Sequence, residues 1–387
     1  MDRRAFHRSL LLGAFTASAS VGAGVAVAHG RPPSGGVPRR SVVEYGLPPA
    51  ERTHEMVKVP GEPLVLVSQS ADSKLVKLRL DPATEEVVAA RAFPLGSPDA
   101  VLHGLAVSHR HPGMVWATHE SANRLLLIDP GGASVDVRPE VVRTIDVPGG
   151  GEGPHHVGEY DGQLWVSLRR SRQVLAIDPA DPARHRLHDC RPNPVFVARH
   201  PGSGDFYVTQ DDAGLILRID PRTRDTAQLA VPAERGGTPM GLVAGPTGLW
   251  VALLGSPEQG TGTFGRIDAQ GRPTWFHLRS PEVAAAALLH LAFDPPGTPR
   301  RPRAWLLGSS IVNPNALDVV VRVTFDPDFT RITGEEVAVL PTQHCKAHRL
   351  LPLRRSVLAT ELTSSTVAQL TTGRWDRPTT PVPGEPG

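Results

Sequence analysis

The chain has 387 residues, with 41 lysines and arginines against 39 aspartates and glutamates and a formal net charge of +2. The basic residues are scattered, whereas a nucleic-acid-binding protein usually carries a basic stripe, so no nucleic-acid partner is expected. After the first thirty residues no stretch approaches the roughly 20 apolar residues of a membrane-spanning helix. These features favour a protein without stable membrane insertion, and nothing in them requires more than a monomer.

The N-terminus reads as a targeting segment. Arg3 and Arg4 form a twin-arginine pair ahead of an apolar stretch, and small residues at 26–28 resemble a cleavage site. We therefore predict a twin-arginine signal peptide over residues 1–28, export of the protein, and a periplasmic or extracellular location. An uncleaved membrane anchor is the alternative. Residues 29–40 read as a flexible Pro/Gly/Arg linker and residues 373–387 as a Pro-rich tail.

Between linker and tail, residues 41–372 contain an internal repeat about every 50 residues, a period typical of propeller blades. Each repeat has a strand-like core, often with Trp or Tyr, then a polar loop, then a hydrophobic run that usually ends in Asp-Pro. The cores include Trp116, Trp165, Tyr207, Trp250 and Trp305. A barrel or a β-sandwich would not need this period, so we predict an all-β, seven-bladed β-propeller.

The seventh repeat lacks an outer strand, and residues 41–45 form an extra strand ahead of the first repeat. We predict that this N-terminal strand completes the last blade and closes the ring, which removes a free sheet edge.

Histidine recurs at the start of the inner strand in five of the seven repeats. Side chains at one phase of a ring converge, so these five should share a site at one end of the channel. They are His54, His103, His155, His290 and His348. The fourth and fifth repeats carry Val195 and Met240 there instead.

Polar residues that follow the second strands should open on the same face as these histidines. Of these, Glu120, Arg169 and Arg170 are candidates to bind substrate, because arginine holds anionic or carbonyl-rich groups. Glu361 is the candidate carboxylate of the last repeat.

Neutral imidazoles that converge on an axis suit a divalent metal or general-base catalysis near neutral pH. His54, His103, His155 and Glu361 are the candidate metal ligands. The alternative, that each histidine only caps a strand or a turn, stays open.

Several repeat phrases resemble the streptogramin B lyase (virginiamycin B lyase) family. They are residues 153–155, 238–242, 248–251 and 115–124, and the resemblance extends over most of residues 54–370. The resemblance implies a magnesium-assisted elimination that opens the ester-closed ring of a cyclic depsipeptide. By position it implies catalytic roles for His348 as general base, His290 as acid or orienting group, and Glu361 as metal ligand. Lys346 stands where the family has a second acidic ligand.

Three functions are therefore open: a secreted lyase-like enzyme, a propeller oxidoreductase or oxygenase with copper, iron or zinc on the histidine ring, and a non-enzymatic ligand-binding propeller. A lactone hydrolase is a variant of the first. In each case we expect a small-molecule ligand, and in the first a divalent metal, magnesium foremost.

Overall fold

The computed structural model describes residues 42–50, 52–296 and 302–371. The predicted signal peptide, linker and Pro-rich tail lie outside the described residues. Within the described part of the chain, no helix is long and apolar enough to cross a membrane.

Seven four-stranded antiparallel sheets form the ring, which confirms the predicted seven-bladed propeller. Six blades are continuous in sequence, each running from its inner to its outer strand. Blade 1 has β2 (Thr53–Lys58), β3 (Leu64–Gln69), β4 (Lys74–Leu80) and β5 (Val87–Pro94); blade 2 has β6 (Leu102–Val107), β7 (Val115–His119), β8 (Arg124–Asp129) and β9 (Glu140–Asp146); blade 3 has β10 (Pro154–Tyr160), β11 (Gln163–Leu168), β12 (Gln173–Ile177) and β13 (His185–Asp189). Blade 4 has β14 (Pro194–Arg199), β15 (Phe206–Gln210), β16 (Leu215–Ile219) and β17 (Thr226–Ala230); blade 5 has β18 (Pro239–Gly245), β19 (Gly248–Leu253), β20 (Thr263–Ile267) and β21 (Pro273–His277); blade 6 has β22 (Leu288–Ala292), β23 (Arg303–Gly308), β24 (Val319–Phe325) and β25 (Ile332–Val339). Short 3₁₀ helices lie at Pro98–Ala100, Asp211–Ala213 and Ala233–Arg235.

The seventh blade combines strands from both ends of the described chain. It contains β26 (Ala347–Pro352), β27 (Ser356–Glu361) and β28 (Thr366–Thr371), and its outer strand is β1 (Val42–Gly46). β1 pairs antiparallel with β28, from Val42 opposite Leu370 to Gly46 opposite Thr366. The predicted closure by the N-terminal strand is therefore confirmed.

The core lies between neighbouring blades, where large side chains of the second strands are fully enclosed. Trp116, Trp250, Trp305 and Tyr207 are each at most 1% exposed. Burying such rings supplies most of the apolar contact area that holds adjacent blades together.

The aspartates that end the third strands also shape the turns that follow. Asp81, Asp178, Asp220 and Asp268 each accept, through Oδ1, a hydrogen bond from the backbone N–H two residues later. These are Asx turns, which short polar side chains form readily. These four aspartates therefore stabilise the turns into the outer strands, and after Asp81, Asp178 and Asp220 a proline ends the pairing of the third strand.

Every inner strand is irregular after its first residue. In β6, for example, the register with β7 shifts between Leu102 and Leu105, and the other six inner strands shift at the corresponding point. Such irregularities re-aim side chains at the rim of a sheet. The second residue of each inner strand thereby faces the channel end, and the third lies beneath it.

Hydroxyl groups on the second strands fix this geometry between blades. Thr118 Oγ1 accepts a hydrogen bond from the N–H of Gly104 in its own blade and donates one to the carbonyl oxygen of His155 in the next. The same bridge is made by Ser68 to His103, by Ser167 to Val195 and by Thr360 to His54. Neighbouring inner strands are thus joined at the level of the histidines.

Candidate functional site

Four histidines form a contiguous row at one end of the channel. Ring centroids lie 3.7 Å apart for His348 and His54, 3.8 Å for His54 and His103, and 4.0 Å for His103 and His155. His54, His103 and His155 are buried, and His348 is partly buried. These histidines come from blades 7, 1, 2 and 3, so four of the five converge as the repeat predicts.

His290 differs from the other four by one residue. Leu288 pairs with the last residue of β23, as Ala347 pairs with the last residue of β27, so Leu289 of blade 6 occupies the position of His348. The His290 side chain lies one level deeper, where its Nδ1 faces the backbone N–H of Leu350 at 3.3 Å. The expectation that all five histidines share one phase is corrected accordingly.

Beneath the histidine row, side chains from opposite blades meet and close the channel. Arg349 of blade 7 donates from Nε to Glu55 Oε2 of blade 1 at 2.6 Å, and its guanidinium lies 4.6 Å from the centroid of the Phe196 ring in blade 4. His156 and His290 approach the same ring, with centroid distances of 5.2 and 6.2 Å. These contacts block the channel directly beneath the histidine row.

Burial keeps these imidazoles neutral. Burial, followed by the positive charges of Arg349 and Arg52, holds the pKa of His54 well below its usual range. Burial also dominates the lowered pKa of His103, His155 and His348, with neighbouring histidines adding to it. For His156, burial lowers the pKa to about 4.

The three residues predicted to bind substrate lie beside the histidine row. Arg169 Nη1 faces His155 Nε2 at 3.3 Å, and Arg170 Nη2 donates to the Glu120 carbonyl at 3.0 Å. Glu120 Oε2 lies 3.9 Å from His103 Nε2. Burial raises the pKa of Glu120, although Arg169 and Arg170 act in the opposite direction. The structure therefore brings Glu120, Arg169 and Arg170 together with the histidine row.

Glu361 does not join them. It is the last residue of β27, whereas Glu120 and Arg169 come one residue after the end of β7 and β11. Side chains alternate along a strand, so this single step turns the Glu361 carboxylate into the blade. There it accepts hydrogen bonds from Thr366 and from Ser364, the latter at 3.1 Å, and lies beside the carboxyl group of Glu44.

Burial, with the Glu44 charge adding to it, raises the pKa of Glu361 to about 7. Its Oε1 is buried and has no hydrogen-bond donor. A proton on one of the two carboxyl groups would supply that donor, which explains how the pair is tolerated inside the blade.

Two residues of the site, Glu55 and Arg349, were not predicted from the sequence. Each directly follows a histidine of the row, and the pairs His54-Glu55 and His348-Arg349 at the start of inner strands are the signal that could have found them. One ligand atom each from His54, Glu55 and His348 lies within 4.8 Å of the others. Of the predicted metal ligands, only His54 belongs to this group.

Comparisons with known proteins identify solved structures with a similar fold. No family model matches the sequence, and a search of curated proteins gives no match. The structure is similar to virginiamycin B lyase from Staphylococcus aureus, with a TM-score of 0.65, 17% identity, and coverage of 85% of this chain and 98% of that one. A catalytically inactive variant of that lyase with quinupristin gives 0.66, 16%, 85% and 98%.

Hydrazine synthase from Kuenenia stuttgartiensis is also similar, with a TM-score of 0.60, 13% identity, and coverage of 84% of this chain and 97% of that one. The resemblance to streptogramin B lyase is thus confirmed at the level of the propeller fold, and at these identities the likeness shows the fold alone.

Proposed function

We propose that this protein is a lyase-like enzyme that eliminates the ester oxygen of a small cyclic ester or depsipeptide at the channel end that carries the histidine row. The observation that carries the proposal is the orientation of His103. Its Nδ1 lies 3.0 Å from the carbonyl oxygen of His155, so that nitrogen donates its proton and Nε2 keeps the lone pair. Nε2 lies 3.9 Å from Glu120 Oε2, and the charge of Arg169 acts on both groups.

In this arrangement His103 is the general base and Glu120 is the general acid. Their surroundings shift the pKa values of the two groups in opposite directions. Burial lowers the pKa of His103 and so favours the neutral imidazole, and it raises the pKa of Glu120 and so favours the protonated carboxyl group. Pairs of this kind allow acid and base chemistry side by side. Arg169 binds the substrate carbonyl or carboxylate.

The proposed step balances without added water. His103 Nε2 takes the proton from the carbon next to the carbonyl, and the electrons of that C–H bond form a carbon–carbon double bond. The bond from the next carbon to the ester oxygen breaks, and the leaving carboxylate takes the electron pair. Glu120 donates a proton to that carboxylate, and proton transfer from His103 to Glu120 restores the starting state.

The residues here do not fit the magnesium site that the resemblance implies. The Glu361 carboxylate is occupied by Thr366 and Ser364 and lies against a second carboxyl group, and Lys346 adds a positive charge where an acidic ligand would stand. The catalytic roles of His348, His290 and Glu361 stay predictions from the resemblance.

A second candidate function is a metal-dependent oxidoreductase or oxygenase. It is favoured by the row of four contacting imidazoles, because neutral imidazole is the preferred protein ligand of copper, iron and zinc. The third alternative, a binding propeller, needs only the polar side chains at this end of the channel.

The test is turnover of cyclic depsipeptides and simpler esters, followed by mass spectrometry of the products. Elimination opens the ring without a change in mass, whereas hydrolysis adds one water. We expect His103→Ala to lower kcat/KM by roughly 10²-fold or more, with Glu120→Gln and Arg169→Ala also impaired. The exposed His109→Ala is the control.

Turnover that survives His103→Ala but is lost in His348→Ala would assign the base to His348 and overturn the mechanism proposed here. Substrate binding without turnover by the parent protein would leave the binding propeller.

The cellular setting is a separate proposal. We infer export through Arg3 and Arg4 to the periplasm or the extracellular space, and a monomer that acts on a small molecule. Replacing both arginines by lysine should retain the protein in the cytoplasm, which fractionation of the producing cells measures. Light scattering measures the mass in solution, and a dimer would contradict the monomer.

A further inference from the structure

Three buried nitrogen atoms in the histidine row lack a hydrogen-bond partner. They are the Nδ1 atoms of His54, His155 and His348. A buried polar atom left unpaired costs about 1–3 kcal/mol, and two of the three belong to the rings of His54 and His348, whose centroids are 3.7 Å apart. A group outside the protein that binds both nitrogens would remove this cost.

Glu55 supplies an oxygen at the same place. Its Oε1 lies 3.6 Å from His54 Nδ1. Both hydrogen bonds from Arg349, one from Nε and one from Nη2, go to the other oxygen, Oε2. The ion pair therefore holds the carboxylate in place and leaves Oε1 available on the side of the histidines.

The other two histidines of the row are engaged elsewhere. His103 uses Nδ1 on the carbonyl oxygen of His155, and His155 uses Nε2 on Arg169. The Nδ1 of His155 is unpaired, but the centroid of its ring lies 6.4 Å from that of His54. Within the part of the chain that the structure describes, His54, Glu55 and His348 are the group whose ligand atoms lie within 4.8 Å of one another.

We propose that His54, Glu55 and His348 bind one divalent first-row transition-metal ion per chain. Two imidazoles and one carboxylate form a donor set that suits iron(II) and related ions such as cobalt(II) and zinc(II). Mg²⁺ prefers oxygen ligands in octahedral geometry and is expected to bind far more weakly. Arg349 is a positioning residue, since it acts on the metal through Glu55.

The metal site can be tested separately from the elimination reaction, because metal occupancy is measured without turnover. Untagged protein, freed of metal with a chelator and dialysed, is titrated with Co²⁺ and followed by its visible absorption and by calorimetry. Elemental mass spectrometry then gives the metal content of the protein as purified. The expected result is one Co²⁺ per chain, displaced by Zn²⁺ and not by an equal concentration of Mg²⁺.

The variants locate the ligands. His54→Gln and His348→Gln should each weaken Co²⁺ binding by roughly 100-fold or more, since outer-shell changes alone typically cost 10- to 100-fold. His155→Gln is the matched control, because it removes a buried imidazole of the same row outside the donor set, and its Co²⁺ affinity should stay within about threefold of the parent.

Glu55→Gln alone leaves Arg349 buried without its partner and is expected to fold poorly. The double variant Glu55→Gln/Arg349→Met removes both charges, and it should fold and bind Co²⁺ weakly. Circular dichroism and thermal melts establish folding for every variant.

Three results would overturn the proposal. They are the absence of stoichiometric Co²⁺ binding by the parent, unchanged binding in both His54→Gln and His348→Gln, and an equal loss in His155→Gln. The last of these would extend the site to the whole row. Displacement by Mg²⁺ at equal concentration would contradict the proposed class of ion.

Discussion

Glu55 and Arg349 form a buried ion pair between the first and seventh blades, 294 residues apart in the chain. The pair lies on the channel axis beneath the histidine row, and the arginine stacks on Phe196 from the far side of the ring. It therefore closes the channel and ties together three blades that are distant in sequence.

Breaking this pair should cost more than removing it. Arg349→Met leaves the Glu55 charge buried and unpaired, and we expect a loss of about 3–5 kcal/mol in the free energy of unfolding, measured by urea denaturation. The double variant Glu55→Gln/Arg349→Met should recover much of that loss. If Arg349→Met were as stable as the parent, the ion pair would not contribute to the stability of the ring.

Glu361→Gln should stabilise the protein above neutral pH. The folded state raises the pKa of Glu361 from 4.5 to about 7, so between these values it holds a proton that the unfolded chain releases. Stability from this group is thus full below pH 4.5 and is lost as the pH rises to 7. The variant, which resembles the protonated form, should exceed the parent by about 1–3 kcal/mol at pH 8 and by much less at pH 5.

Urea denaturation at the two pH values measures this difference, and an equal effect at both would contradict the raised pKa. Turnover of the same variant tests the role that the resemblance implies for Glu361, because a metal ligand would not tolerate the amide.

Acid should destabilise the ring through the histidines whose pKa burial lowers, and the half-buried His156 is the clearest case. Burial lowers its pKa from 6.5 to about 4. Below pH 6.5 the unfolded chain takes up a proton that the folded state refuses, so the contribution of neutral His156 is complete above pH 6.5 and is lost as the pH falls to 4.

The expected slope is up to about 1.4 kcal/mol per pH unit for each such histidine. Metal-free His156→Gln should therefore lose less stability than the parent between pH 6.5 and pH 4.5 in thermal melts. His109→Gln, at an exposed position, should leave the slope unchanged. A parent protein whose stability does not vary over this range would contradict the prediction.

Gly104 marks a point where two inner strands approach too closely for a side chain. A Cβ atom there would lie 2.4 Å from the carbonyl oxygen of His155 and 3.3 Å from the Cα of His156. Gly104→Ala must therefore displace the inner strand of blade 3, and we expect a loss of about 1–3 kcal/mol in the free energy of unfolding.

Gly46→Ala is the matched control, because its Cβ would meet no atom within 4 Å. Its free energy of unfolding should stay within about 0.5 kcal/mol of the parent. Equal stability of the two variants would mean that the inner strands leave room for a methyl group at position 104.

The repeat in the sequence was enough to predict the blades, the ring closure and the convergence of four histidines. The repeat did not predict the direction of a side chain at places where a shift by one residue decides that direction. The irregularity in β22 places Leu289 at the channel position and turns His290 inward, and the end of β27 turns Glu361 into the blade. The hydrophobic pattern is unchanged by such a step, so it carries no signal for it.

The ion pair of Glu55 with Arg349 also could not be predicted from the sequence. It depends on blades 1 and 7 being neighbours, which follows from closure, and on both residues occupying the second level, which follows from the irregular inner strands. The second condition is visible only in the structure.

The joining of β1 to β28 also determines when the protein can finish folding. The seventh sheet combines the first strand of the described chain with the last three, so a ribosome must release nearly the whole sequence before this sheet can form. Until then β1 has no strand to pair with, and the contact that closes the ring spans more than 300 residues. Synthesis of a shortened chain that ends before β28 should therefore give a protein that aggregates rather than a smaller ring.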